Sequence, residues 1–293
     1  MTRLILTTLL LSSLLTAQAQ EEDLLGLLSE DPVTDYVFAS FKANRVINLQ
    51  SLETTKHRVL DVKISHRLGS VQGGISELFG LDQASVRLGA DYGITDQLMV
   101  GFGRSSFEKT LDGFVKYKFL RQSSGAKNMP ISALLLASSA IKTTPFAVTT
   151  VEQPFAHKLT YTYQLILGRK FSDSFSFQLS PSLVHRNLVD TPEESNDVVA
   201  LGFASRLKLS KRVSLNLEYV YVPDNQLADI YENSASIGFD IETGGHVFQL
   251  HFTNSTAMND KGFITETTDS WSNGDAHFGF NVSRVFNINK RKK

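Results

Sequence analysis

Val213-Ser214-Leu215-Asn216-Leu217-Glu218-Tyr219-Val220-Tyr221 is the stretch on which the fold turns. Valine, leucine and tyrosine fill its odd positions, while serine, asparagine and glutamate fill all but one of the even ones. Side chains of a strand alternate between two faces, so this run makes a strand with one apolar and one polar side. The same alternation recurs along the chain. Leu60, Val62, Ile64 and Leu68 oppose Asp61, Lys63, Ser65 and Arg67, and Val86, Leu88, Ala90 and Tyr92 oppose Ser85, Arg87, Gly89 and Asp91. Leu159, Tyr161, Tyr163, Leu165 and Leu167 oppose Thr160, Thr162, Gln164 and Gly168, and Phe175, Phe177, Leu179 and Leu183 oppose Ser176, Gln178, Ser180 and Ser182. Phe248, Leu250 and Phe252 then oppose Gln249, His251 and Thr253, and Phe278, Phe280, Val282, Phe286 and Ile288 oppose Asn281, Ser283 and Asn287.

A soluble sandwich also buries one face of each strand, so alternation alone does not decide between sandwich and membrane barrel. Length does: a tilted strand needs about 9–11 residues to cross a bilayer, whereas strands of soluble proteins average about 5–6. The polar faces carry glycine and charges of both signs with few large apolar groups, as a watery lumen requires. Short connections (Gly93 to Gln97, Ser172 to Ser174, Ser210 to Lys211, Gly244 to Gly245, and the looser Ser123 to Asn128) alternate with longer ones. The longer ones are Gly69 to Gln83, Lys142 to Lys158, Asn187 to Asn196, Pro223 to Glu232 and Ser255 to Gly274, with a short link near Lys109 to Asp112 on the same side. Short turns face the periplasm and long loops the exterior. The reading is an all-β, transmembrane, antiparallel up-and-down barrel of about 12 strands over residues 58–288, a count consistent with the even-number rule.

Upstream, Arg3 precedes an apolar run from Leu4 to Leu15, and Ala17 and Ala19 present small residues to a signal peptidase. Residues 1–19 therefore read as a secretory signal peptide, too short in its apolar core to be a spanning helix. Residues 20–57 are an N-terminal segment: an acidic lead-in around Leu24 to Leu28, with a turn or two of amphipathic helix ending before Pro32, then an extended stretch from Tyr36 to Ile47. A thirteenth strand would break parity, so this segment lies in the periplasm, tucks into the lumen as a plug, or pairs at the seam. Residues 289–293 form a basic periplasmic tail.

The chain of 293 residues has no cysteine and a formal charge of −1. Disulfides, thiolate metal sites and c-type haem are thereby excluded, and the charge gives no reason to expect nucleic-acid binding. Facing inward are Lys63, Arg67, Arg87, Lys116, Lys118, Lys170, Arg206 and Lys208, against Asp61, Asp91, Glu218, Asp240 and Glu242. Such an array either selects small polar or anionic solutes or pairs across a narrow lumen and holds it closed. The glycine-rich Gly69 to Asp82 connection is a candidate inward constriction, anchored by Leu78 and Phe79, or an ordinary loop. Of the histidines, His66 alone falls on a lipid-facing register, with no partner arranged as a nucleophile and base. His246 and His251 point to opposite faces, which argues against a shared metal site with Asp240 and Glu242. No enzyme activity and no cofactor are expected. The expected partners are outer-membrane lipid, the barrel-assembly machinery during biogenesis, and a periplasmic protein docked through the N-terminal segment.

Phe41-Lys42, Arg45-Val46-Ile47-Asn48 and Ile64-Ser65-His66-Arg67-Leu68-Gly69 resemble a family of uncharacterised outer-membrane barrels found in Bacteroidetes. So do Phe79-Gly80-Leu81-Asp82, Arg87-Leu88-Gly89, Tyr92-Gly93-Ile94-Thr95-Asp96 and Asp112-Gly113-Phe114-Val115-Lys116-Tyr117-Lys118. The resemblance spans nearly the whole mature chain and implies an outer-membrane barrel, bringing no active site with it. In barrels of this kind the final strand ends on a Phe read by the assembly machinery, a role that suits Phe286. The working function is a porin-like channel for small polar or anionic solutes, and the alternative is a non-catalytic docking barrel that anchors a periplasmic partner.

Overall fold

The computed structural model describes residues 33–145, 154–189, 191–192 and 194–288. The signal peptide, the Leu24 to Leu28 helix and the basic tail read from the sequence lie outside these residues. Among the described residues twelve antiparallel strands close into one barrel. In chain order they are β1 Val59–Ser70, β2 Ser85–Gly93, β3 Leu98–Ser105, β4 Thr110–Leu120, β5 Ser132–Lys142 and β6 Leu159–Lys170. The second half comprises β7 Phe175–Arg186, β8 Asp197–Lys208, β9 Val213–Tyr221, β10 Ala235–Thr243, β11 His246–Thr253 and β12 His277–Asn287. Each strand pairs with its neighbour in sequence, and β12 closes on β1 with Val282 opposite Ile64. Closure leaves no free edge, which is what lets strands span lipid with every backbone group paired inside the wall.

The outward register is apolar nearly throughout, as in Ile64, Leu88, Phe102, Val115, Leu217 and Phe239, all of them exposed. The inward register is buried and largely polar, but it also holds Leu134, Ile166, Val184, Val198 and Val220. The sequence reading of few large apolar groups on that face is corrected here. These side chains are not facing water; they pack against chain that fills the barrel.

That chain is the N-terminal segment. Of the stretch expected to be extended, Tyr36 to Ile47, only Tyr36 lies in a strand, the short Thr34–Tyr36, which pairs with Ser123–Gly125 in the β4–β5 connection. From Ser40 to Leu52 the backbone enters the lumen and folds back on itself, with Val46 N–H donating to Leu49 O at 2.8 Å and Ser51 N–H to Asn44 O at 2.9 Å. Phe41, Val46, Leu49 and Leu52 are buried in one cluster with the inward apolar wall residues.

The second intrusion comes from outside. The β11–β12 loop carries a short helix, α1 Asp260–Thr265, whose Phe263 and Ile264 join the same cluster. The Gly69 to Asp82 connection is the ordinary loop rather than the inward constriction: Leu78 and Phe79 are exposed, and Ile75 is 80% exposed. The backbone chemistry explains this. Gly80 adopts φ +87°, and a Cβ there would stand 2.2 Å from Gly69 O, so the glycines close the loop upon its own base.

Candidate functional site

The plug and its lumen wall form the candidate site, because here charged groups, apolar packing and backbone donors converge. Glu218 on β9 is the centre. Its carboxylate accepts three successive plug N–H groups: Ile47 at 2.6 Å and Leu49 at 3.0 Å on one oxygen, Asn48 at 2.9 Å on the other. A lumen-buried loop has no water to satisfy its amides, so the wall must supply acceptors. Plug carbonyls are met in the same way. Lys116 Nζ donates to Asn44 O at 3.0 Å, Gln178 to Gln50 O at 2.7 Å, and Gln249 to Val46 O at 2.6 Å. Arg206 donates to Ala39 O at 3.2 Å and Ser40 O at 3.3 Å.

Charge pairing holds the rest. Lys63 lies 2.6 Å from Asp91 and 3.6 Å from Asp61, while Asn44 Nδ2 reaches both carboxylates. Arg87 makes a two-pronged pair with Asp112, one prong at 2.9 Å. Plug Arg45 forks onto Asp260 of α1 at 3.2 and 3.3 Å, tying the periplasmic entrant to the extracellular one. Arg67, 1% exposed, donates to Asn48 Oδ1 at 2.9 Å and to Ser255 O, spanning the same two intrusions. Asp240 accepts from Gln249 at 2.8 Å, and Glu242 pairs with Lys42. Lys170 sits at the periplasmic rim, 3.4 Å from Phe38 O, and Lys118 and Lys208 are half-buried inward positions toward the same end. In the extracellular loop Lys261 pairs with Glu266 and lies 3.8 Å from Glu108; burial raises the Glu266 carboxyl, and Lys261 partly counters that.

Apolar packing completes the closure. A Cβ on Gly168 would lie 2.6 Å from Leu52 Cδ1, so the absence of a side chain there makes the seat for that leucine. One pocket between the plug and strands β1, β2, β11 and β12 has about 20 Å³, room for about one water. Phe263→Ala should empty a fully buried site in this cluster and cost about 3–5 kcal/mol. The midpoint of the heat-modifiable shift of the folded barrel on a gel would register the loss.

The membrane-bound beta barrel domain family (DUF5777) matches residues 41–286. The chain belongs to that family. The match begins at Phe41, the first apolar residue of the buried cluster, so the family pattern takes in the plug as well as the wall. The chain is an outer-membrane β-barrel. Solved outer-membrane proteins are similar to it at low identity. The NanC porin is 8% identical, with TM-score 0.48, covering 77% of this chain and 98% of its own. Omp33 of Acinetobacter baumannii is 8% identical, with TM-score 0.41, covering 81% and 100%. An outer-membrane channel from Pseudomonas putida F1 is 12% identical, with TM-score 0.41, covering 79% and 96%. No curated protein sequence matches the chain.

Several participants escaped sequence reasoning. Asp112 shares the even register of Lys116 and Lys118 on β4, a signal that parity offered but that assigning it to the connecting link concealed. Arg45 and Asn44 sit in irregular chain and Asp260 opens a six-residue helix within a loop, where no period marks the direction of a side chain. The histidine reading also changes. His66 faces outward and stacks on Phe280 at 4.4 Å, but it is not alone on the lipid-facing register. His185 lies beside Asp197 at 2.7 Å, and His246 stacks on Phe248. Both share the parity of outward neighbours, Leu183 and Phe248, in runs where only the aliphatic positions had been followed.

Proposed function

We propose that this chain is a closed, non-catalytic outer-membrane barrel whose N-terminal segment serves as its plug and as the point where a periplasmic protein docks. The observation that carries the reading is the filled lumen, in which Ser40 to Leu52 is held by Glu218, Arg67, Lys116, Arg206 and Gln249. Docking is supported by the part of the segment that stays outside. Val33 and Phe38 remain exposed on the periplasmic side, beside the ribbon that fixes Thr34–Tyr36 to the wall.

The second reading is a channel for small polar or anionic solutes. Arg67 and Lys116 favour it, since both bring cationic groups into the lumen and are met there by backbone and amide oxygens. Passage would require the plug to leave. In a planar bilayer the folded full chain is expected to give no steady conductance. A photo-crosslinking residue in place of Phe38 is expected to capture a periplasmic protein in intact cells. Steady, anion-selective conductance would establish the channel instead, and silence with no captured protein would remove the docking role.

A further inference from the structure

The outward face of the barrel changes character at its periplasmic end. Along the bilayer it is aliphatic and aromatic, but toward that end arginines appear among the aromatic residues. Arg121 follows β4 with its guanidinium 3.8 Å from the Tyr36 ring centroid and 5.6 Å from that of Phe38. Arg169 near the end of β6 lies 5.3 Å from the Phe171 ring, and Arg284 on β12 lies 5.1 Å from the Phe286 ring. His246 stands directly across from Arg284 on the neighbouring strand. Among the described residues no carboxylate forms an ion pair with any of the three arginines, although Asp35 lies exposed beside Tyr36, and three other acidic groups of this rim are engaged elsewhere. Asp173 pairs with Lys170, Asp96 accepts the His57 N–H, and Glu242 turns inward to Lys42.

We propose that this rim is a binding surface for anionic phospholipid headgroups of the inner leaflet, with Arg121, Arg169 and Arg284 as its phosphate clamps. An aromatic girdle by itself suits the interface without reference to headgroup charge. A guanidinium laid over an aromatic ring keeps the edge N–H groups of its planar fork free, and that fork matches the geometry of a phosphate. Three such units, at the periplasmic ends of β4, β6 and β12, put the donors where lipid phosphates lie. At the opposite end the β9–β10 loop presents Asp224, Asp229 and Glu232.

The test uses the full folded chain in detergent, titrated with phosphatidylglycerol or phosphatidylcholine, with retained lipids counted by native mass spectrometry. The native protein is expected to retain phosphatidylglycerol in preference, and the preference should weaken as salt rises. Replacing Arg121, Arg169 and Arg284 with Gln should reduce it by roughly fivefold per arginine. Arg104→Gln, an outward cation at the extracellular end of β3, should leave it intact. Should the triple variant fail the heat-modifiability check, the three single variants carry the same comparison. Equal retention of the two lipids, or a preference unchanged in the variants, would overturn the proposal. So would full competition by inorganic phosphate, which would mark a free-phosphate site. Loss of sedimentation with purified peptidoglycan at unchanged lipid preference would assign the rim to the cell wall instead.

Discussion

Glu218→Ala is expected to cost about 3–5 kcal/mol and to make the barrel leak. Among the described residues the carboxylate is the sole acceptor for three consecutive plug amides, Ile47, Asn48 and Leu49, at 2.6–3.0 Å. Alanine strands all three donors in a site sealed from solvent, at about 1–3 kcal/mol each. Part of that loss is offset because a buried charge no longer has to be desolvated. Glu218→Gln keeps one carbonyl oxygen and should lose less, since it accepts from some of the donors while its NH₂ faces the others. Two readouts separate the parts of this claim. The heat-modifiable midpoint on a gel reports the stability, and planar-bilayer conductance reports whether the loosened loop still closes the lumen. An unchanged midpoint with a silent bilayer would mean that the apolar seat of Leu49 and Leu52 holds the plug unaided.

That distinction bears on what could be read from the residues. The wall was legible because a strand between lipid and lumen repeats every two residues, and stretches such as Val213–Tyr221 and His246–Thr253 state the period openly. The inward charges were legible for the same reason: once a strand's phase is known, the direction of Lys63, Arg87 or Glu218 follows. The plug offers no period. Its polar atoms are satisfied by wall residues far away in sequence, as when Gln249 serves the Val46 carbonyl, and no local pattern encodes such a match. Of the two readings open for the Gly69 to Asp82 connection, the ordinary loop is the one the structure shows. The Gly69–Gln83 connection uses its glycines to fold on itself outside the barrel, whereas the loop that enters does so with Phe263 and Ile264 on a helix capped by Asn259. An apolar pair inside a polar loop was the available signal there, and it was a weak one beside a run of glycines.

The Arg87–Asp112 pair allows the sharpest separation of fold from function. Both side chains are buried, and the guanidinium lies against Gly103, where a Cβ would stand 2.1 Å from Arg87 Nη2. The pair joins β2 to β4 across the inner face of β3 and, in contrast to Glu218, makes no hydrogen bond to the plug. Asp112→Ala should cost about 3–5 kcal/mol, because it leaves a desolvated guanidinium without its carboxylate. Replacing both residues, Asp112→Leu with Arg87→Met, should recover most of that loss, since two apolar groups of similar reach remove the charge along with its partner. Conductance should stay silent in the double variant, as the plug contacts of Glu218, Lys116 and Arg206 are untouched. A double variant as unstable as Asp112→Ala would show that the cost lies in packing over Gly103 rather than in an orphaned charge. A stable double variant that conducts would show that the pair helps to seat the plug, and that wall and plug are one cooperative unit.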